Sequence, residues 1–342
     1  MITLSHIIYV SVLFTHLCIE VGHTSPHSHV RPKGQILNRE REENGAFSSR
    51  DYDHYKEGVH HSEFDHEAVI GNRHDAEEYD HLSPEESKKR LGILVQKMDK
   101  DGDGFVDKKE LTKWILRSFK MLTEEEGEER LEEEDENEDG KVTWEEHMAE
   151  AFGIDPEDDD EDEIPDPLEA AEEHQMMQED RALFKAADLN GDGILDKSEF
   201  SAFANPEEFV HMHQVLYEQT MVKRDKNKDG YLSLEEFLSD GSGKPPAVGS
   251  ESYLVEKDHF ENEYDVNHDG KLEKAEVLKW LLPDNDEVAE NEAVHLIKES
   301  DDDKDGKLSI QEILDHHDTF VGSEATDFGE HLYNTHKFND EL

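Results

Sequence analysis

Apolar residues recur along this chain in short bursts at helical spacing, and the bursts bracket stretches that are almost wholly polar. Leu91, Leu94, Val95 and Met98 share one helix face and stop at residue 99; Leu111, Trp114 and Ile115 resume the period beyond residue 110. Phe260 and Tyr264, then Val277, Trp280 and Leu281, repeat the arrangement around residues 265–276. Ser83-Pro84-Glu85-Glu86 supplies a helix start: a capping serine, proline in the first turn, and a glutamate three residues on. The pattern predicts short helices on either side of twelve-residue polar loops. Its weakest segment is EEEGEERLEEE (124–134), which offers mainly Leu131 to a core and contains Gly127.

The loops repeat one template six times: DKDGDGFVDKKE (99–110), DENEDGKVTWEE (135–146), DLNGDGILDKSE (188–199), DKNKDGYLSLEE (225–236), DVNHDGKLEKAE (265–276) and DDDKDGKLSIQE (301–312). All fit D-x-[DN]-x-[DN]-G-x₅-E, the EF-hand calcium loop. Ca²⁺ is a hard cation that takes six to eight oxygens, so the loop must wrap a single point. The first ligands are then Asp99, Asp135, Asp188, Asp225, Asp265 and Asp301; the third-position ligands are Asp101, Asn137, Asn190, Asn227, Asn267 and Asp303. Fifth come Asp103, Asp139, Asp192, Asp229, Asp269 and Asp305, followed by the sharp-turn glycine. Seventh-position backbone carbonyls belong to Phe105, Lys141, Ile194, Tyr231, Lys271 and Lys307. Ninth-position groups are Asp107, Thr143, Asp196, Ser233, Glu273 and Ser309, and both oxygens of Glu110, Glu146, Glu199, Glu236, Glu276 and Glu312 close each shell. Up to six Ca²⁺ ions are expected. The eighth positions (Val106, Val142, Leu195, Leu232, Leu272, Leu308) suit loops paired through a short antiparallel bridge.

The spacing predicts an all-α chain of six EF-hands in three paired-hand domains, with a disordered N-terminal arm and a short C-terminal tail. Consecutive hands are expected to pair: residues 82–153 (loops 1 and 2), 168–238 (loops 3 and 4) and 251–320 (loops 5 and 6). The acidic, Pro-broken stretch at 154–167 and the mixed stretch at 239–250 are expected to be linkers.

Composition narrows the partners. The 342 residues carry 89 acids against 35 bases, a formal charge of −54. A basic surface for nucleic acid is lacking, and cations and basic proteins are the natural ligands. The apolar run at residues 7–17 suits the core of a signal peptide (1–25), although no Lys or Arg precedes it; no later run predicts a membrane span in the mature chain. Cleavage would remove Cys18, the only cysteine, and leave nothing to cross-link. The final residues Asn339, Asp340, Glu341 and Leu342 differ at one position from the tetrapeptides that return proteins to the endoplasmic reticulum. Residues 26–81 read as a disordered, acidic, His-rich arm. Within it Tyr52-Asp53-His54, Phe64-Asp65-His66 and Tyr79-Asp80-His81 repeat an aromatic-Asp-His triplet, for which solvated disorder competes with weak transition-metal binding or a charge change on acidification.

LSPEESKKRLG (82–92), NPEEF (205–209) and FVGSEATDFGE (320–330), with the six loops, the signal and the tail, resemble the calumenin and reticulocalbin group of secretory-pathway proteins. The resemblance runs over residues 51–332. It implies low-affinity luminal calcium binding and association with client proteins, among them the vitamin K-dependent carboxylation machinery and intracellular calcium pumps or channels. The expected function is therefore a buffering, chaperone-like calcium protein of the endoplasmic reticulum lumen, with Golgi passage or partial secretion open. The alternative is a calcium sensor exposing a target surface, although Met176-Met177 is the only methionine cluster. Catalysis is not expected: GSGK (241–244) lacks the first P-loop glycine, and neither H-E-x-x-H nor G-x-S-x-G occurs.

Overall fold

The computed structural model describes residues 41–42, 44–52, 54–56, 58–153, 167–239 and 246–322. The expected signal segment, residues 154–166 of the acidic linker, residues 240–245 and the retrieval-like tail lie outside the described residues.

The first elements are β1 (Tyr55–Lys56), β2 (Val59–His60), α1 (Glu63–Ile70) and α2 (Arg73–Asp80). α3 (Pro84–Met98), β3 (Phe105–Asp107), α4 (Lys108–Glu134), β4 (Lys141–Thr143) and α5 (Trp144–Phe152) carry loops 1 and 2. α6 (Pro167–Ala187), β5 (Ile194–Asp196), α7 (Lys197–Ala204), α8 (His213–Arg224), β6 (Leu232–Ser233) and α9 (Leu234–Phe237) carry loops 3 and 4. Loops 5 and 6 belong to α10 (Glu251–His259), β7 (Lys271–Leu272), α11 (Lys274–Leu281), α12 (Asn285–Ser300), β8 (Lys307–Ser309), α13 (Ile310–Asp315) and α14 (His317–Val321). α10 runs on into a π-turn at Phe260–Tyr264.

Three loop pairs form, but not as 1 with 2, 3 with 4 and 5 with 6. β3 of loop 1 pairs antiparallel with β8 of loop 6, β4 of loop 2 with β5 of loop 3, and β6 of loop 4 with β7 of loop 5. The reason lies in α4. Its 27 residues make the helix leaving loop 1 and the helix entering loop 2 one uninterrupted rod, which holds the two loops roughly 40 Å apart. Loop 1 must therefore find its partner elsewhere. The stretch at 154–167 lies between loops 2 and 3 and that at 239–250 between loops 4 and 5, whose strands pair.

Each ladder sits at the centre of a core. Val106 and Leu308 meet in a core built from α1–α4 and α12–α14; Val142 and Leu195 meet among Phe184, Phe200, Phe203 and Met212; Leu232 and Leu272 meet with Phe237, Phe260 and Trp280. All six eighth-position side chains are fully buried. α4 contributes Leu111, Ile115 and Phe119 to the first core and Leu131 to the second. Gly127, the weak point of its sequence, lies where α7 crosses: a Cβ there would stand 2.9 Å from the Ser201 Cβ and 3.0 Å from its Cα. Glycine is present for close approach, and the helix continues through it.

The arm expected to be disordered through residue 81 is ordered where it is described, from residue 41. Ala68, Val69 and Tyr79 are buried in the first core, and Trp114 Nε1 donates to the Val69 carbonyl at 2.7 Å. Phe47 joins the second core, its N–H donating to the Leu281 carbonyl at 3.0 Å. Arg50 reaches Glu126 and Glu208, pinning this segment to α4 and to the turn after α7. The segment is poor in apolar residues, yet Ala46, Phe47, Ala68, Val69, Ala76 and Tyr79 are buried, which overall composition does not reveal.

Leu308→Ala should cost ~2–4 kcal/mol in denaturant unfolding. In calcium titrations followed by NMR, the Gly104 and Gly306 amides should lose affinity together while Gly270 keeps its own. Joint loss at Gly270 and Gly306 would instead indicate pairing of loop 5 with loop 6.

Candidate metal centres

Each loop is shaped by its own acids. The first-position aspartate accepts the N–H of the sixth-position glycine in all six: Asp99 from Gly104, Asp135 from Gly140, Asp188 from Gly193, Asp225 from Gly230, Asp265 from Gly270 and Asp301 from Gly306, at 2.6–3.0 Å. In loops 1, 3, 4, 5 and 6 the fifth-position carboxylate accepts the N–H of Phe105, Ile194, Tyr231, Lys271 or Lys307. Those seventh residues begin the short strand in five loops, and Tyr231 stands just before β6.

The twelfth-position glutamate has two tasks. Glu110, Glu146, Glu199, Glu236, Glu276 and Glu312 each accept the N–H of the ninth residue at 2.8–3.1 Å. Asp107, Thr143, Asp196, Ser233, Glu273 and Ser309 are thereby the N-caps of the exiting helices, each in a capping box with its glutamate. The other glutamate oxygen turns back over the loop: Glu110 accepts from Lys100 and Asp101, Glu199 from Leu189 and Asn190, Glu236 from Lys226 and Asn227, Glu276 from Asn267, and Glu312 from Asp302 and Asp303. Glu146 reaches the Asn137 side chain instead.

Donor chemistry fits calcium. Carboxylates of Asp99, Asp101 and Glu110 converge within 4.8 Å, as do those of Asp301, Asp303 and Glu312. Asn137, Asn190, Asn227 and Asn267 hold the third position in the other four loops, where an amide oxygen would serve the same cup. Crowding shows in Asp303: the Asp305 backbone N–H favours its charge, but desolvation and the charges of Asp305, Glu312 and Asp301 hold the carboxyl above its usual range. An all-oxygen, anionic cup of this kind is a hard-cation site.

A family model described as an EF-hand domain pair matches residues 88–150, 177–240 and 258–316. Reticulocalbin-2 of Mus musculus is 40% identical over 292 residues, 84% of this chain and 90% of that protein. Reticulocalbin-2 of Crotalus adamanteus is 39% identical over 288 residues, 83% of this chain and 93% of the relative. The chain belongs to the reticulocalbin family. It is a calcium-binding protein built from EF-hand pairs. The matched units are consecutive hands along this reticulocalbin sequence, whereas the strand ladders run between units.

Three features of this reticulocalbin's loops were not foreseen from its sequence. Every fourth position has positive φ: glycine in loops 1 and 3, but Glu138, Lys228, His268 and Lys304 in the others, the four non-glycine residues with positive φ among those described. That conformation strains an L-residue by about 1 kcal/mol. Across the first ladder, Lys307 of loop 6 donates to Asp103 of loop 1 at 2.8 Å, lowering the Asp103 carboxyl chiefly through that hydrogen bond. Behind loop 2, the fully buried His147 follows Glu146; its Nδ1 lies 3.0 Å from Glu134 and its Nε2 3.7 Å from Asp180.

Burial opposes the His147 imidazolium, but the Asp180 carboxylate nearby and the hydrogen-bonded Glu134 outweigh it and push the group up to about 9. A raised imidazole stabilises the fold fully below its ordinary 6.5, and that contribution disappears as pH rises through about 9. Calcium-saturated protein should therefore lose up to about 2–3 kcal/mol between those limits, read by urea unfolding, and His147→Gln should flatten the slope. A wild-type curve already flat over that window would show the histidine to be neutral.

Proposed function

We propose that this chain is a low-affinity calcium protein of the endoplasmic reticulum lumen, whose fold depends on the ion and which buffers calcium while binding client proteins. The carrying observation is that the capping box of every exiting helix uses the same glutamate that is proposed to close the calcium shell. The ligands would be the carboxylates, amide oxygens and seventh-position carbonyls named above, in all six loops. Bound Ca²⁺ supplies the positive charge that lets those acids share one cup, so helix starts and ion binding are one event. Most of the 89 acids lie outside the loops, which supports solubility when loaded and further weak calcium binding at the surface.

Kinship with reticulocalbin-2 and the retrieval-like tail support a luminal location. By family resemblance the clients include calcium pumps or channels and the carboxylation machinery. A cavity of ≈ 630 Å³ between α4 and α7, with Leu116, Phe119 and Phe209 inside and Lys120, Glu124 and Lys197 around it, is a candidate contact for them. The sensor alternative draws less support. Met98 and Met212 are core residues and Met176 and Met177 are half-buried on α6, so no methionine-lined groove is ready to open among the described residues.

Calcium titration of the chain, followed by far-UV circular dichroism, scattering radius and calorimetry, should give helix gain and compaction near ~10⁻⁴–10⁻³ M with about six ions bound. A chain already compact and helical in chelator would overturn the ion-dependent fold. In expressing cells, removal of residues 339–342 should send the protein into the medium; unchanged retention would overturn the retrieval reading.

A further inference from the structure

The described part of the N-terminal segment brings together four metal-ligating side chains that lie apart from every EF-hand loop. His54 stands before β1 and His60 ends β2, in a hairpin closed by the His61 N–H donating to the His54 carbonyl at 2.9 Å. Asp65 lies in the first turn of α1, and His295 comes from α12, 230 residues further along the chain. One donor atom from each of these four lies within 4.8 Å of all the others. His54 Nε2 is 2.7 Å from Asp65 Oδ1; His60 Nε2 and His295 Nε2 are 3.0 and 3.6 Å from Asp65 Oδ2; the His54 and His60 Nε2 atoms are 3.0 Å apart. Four ligands at about 2.0–2.1 Å from one ion in a tetrahedron stand roughly 3.3–3.4 Å from one another, and these separations bracket that value.

From this geometry we infer that His54, His60, Asp65 and His295 form a binding site for a zinc-class divalent transition-metal ion.

Burial and orientation point the same way. Asp65 is fully buried, and neither its oxygens nor the His295 Nε2 has a well-aligned hydrogen bond despite the short contacts. Donor atoms that face a common point, rather than each other, leave such a pattern. A cavity of ≈ 220 Å³ touching His54, His295 and Tyr55 gives an ion a way in.

The ligand chemistry separates this site from the EF-hands. Three imidazoles and one carboxylate suit borderline metals, whereas the loops offer oxygen alone and suit calcium. Four protein ligands leave no open position, so the role is structural rather than catalytic. The ion would clamp the N-terminal hairpin to α12, beside the core shared by loops 1 and 6.

The test is Co²⁺ titration of the full calcium-saturated chain, with Co²⁺ reporting geometry through its visible absorption. One equivalent should give the intense bands of tetrahedral cobalt, displaced by zinc. His60→Gln, at the exposed end of the hairpin, and His295→Gln should each abolish those bands and weaken zinc binding at least roughly tenfold, with helicity and calcium stoichiometry unchanged. Only the weak absorption of six-coordinate cobalt in the wild type would overturn the site and leave a hydrogen-bonded His–Asp cluster. Intense bands persisting in both variants would overturn it equally, by placing the metal elsewhere.

Discussion

An α-helix cannot fold back on itself, and that single constraint organises this molecule. Because α4 continues from loop 1 into loop 2 without a turn, the first two hands stand at opposite ends of one rod. Loop 2 closes on loop 3, loop 4 on loop 5, and loop 1 is left for loop 6. The helices that fill the first core then come from both ends of the chain, α1 to α4 from one and α12 to α14 from the other. Even the N-terminal segment follows from this closure, since Ser87 Oγ donates to the Gly322 carbonyl and His66 approaches the Asp318 carbonyl in the joint thus made.

Within each hand, one glutamate joins two processes that are usually separate. As the N3 residue of a capping box it starts the exiting helix, and its second oxygen reaches back across the loop. The loop acids crowd one another: the Asp305 N–H pulls the Asp303 carboxyl down, but desolvation and then the charges of Asp305, Glu312 and Asp301 raise it. Helix propagation draws on the same side chain that is proposed to close the ion's shell, so an ion at the loop would be coupled to order some distance beyond it. Buried polar groups such as the His147 cluster extend that coupling from the loop into the helices behind it.

Much of this was legible in the sequence, because a twelve-residue template with fixed polar positions is a local signal. The six loops, the eighth-position core residues, and the Ser83 cap, which accepts the Glu86 N–H, are all local. Which loop pairs with which is not local, and interval lengths misled. A hint existed in the seventh positions: Lys271 lies over the Tyr231 ring and Lys307 over Phe105, across the observed ladders. Pairing loop 5 with loop 6 would instead set two lysines on one diagonal, which disfavours it. Gly127 read as a weakness because its neighbour, Ser201, is distant in sequence. The ordered N-terminal segment was hidden for a similar reason, as its partners lie on α4, α11 and α12. His295 cannot be linked to His54 by any spacing rule.

The junction of loop 1 with loop 6 also dictates when this protein can finish itself. Asp103 and Lys307 touch across 204 positions of chain, and ribosomes add about 5–20 residues per second. A nascent molecule therefore spends roughly 10–40 s with its first hand exposed and its strand edge unpaired. The middle hands can settle earlier, since their partners emerge sooner. Maturation is thus timed by the last hand to leave the ribosome, and truncation near the C-terminus would injure the N-terminal end first.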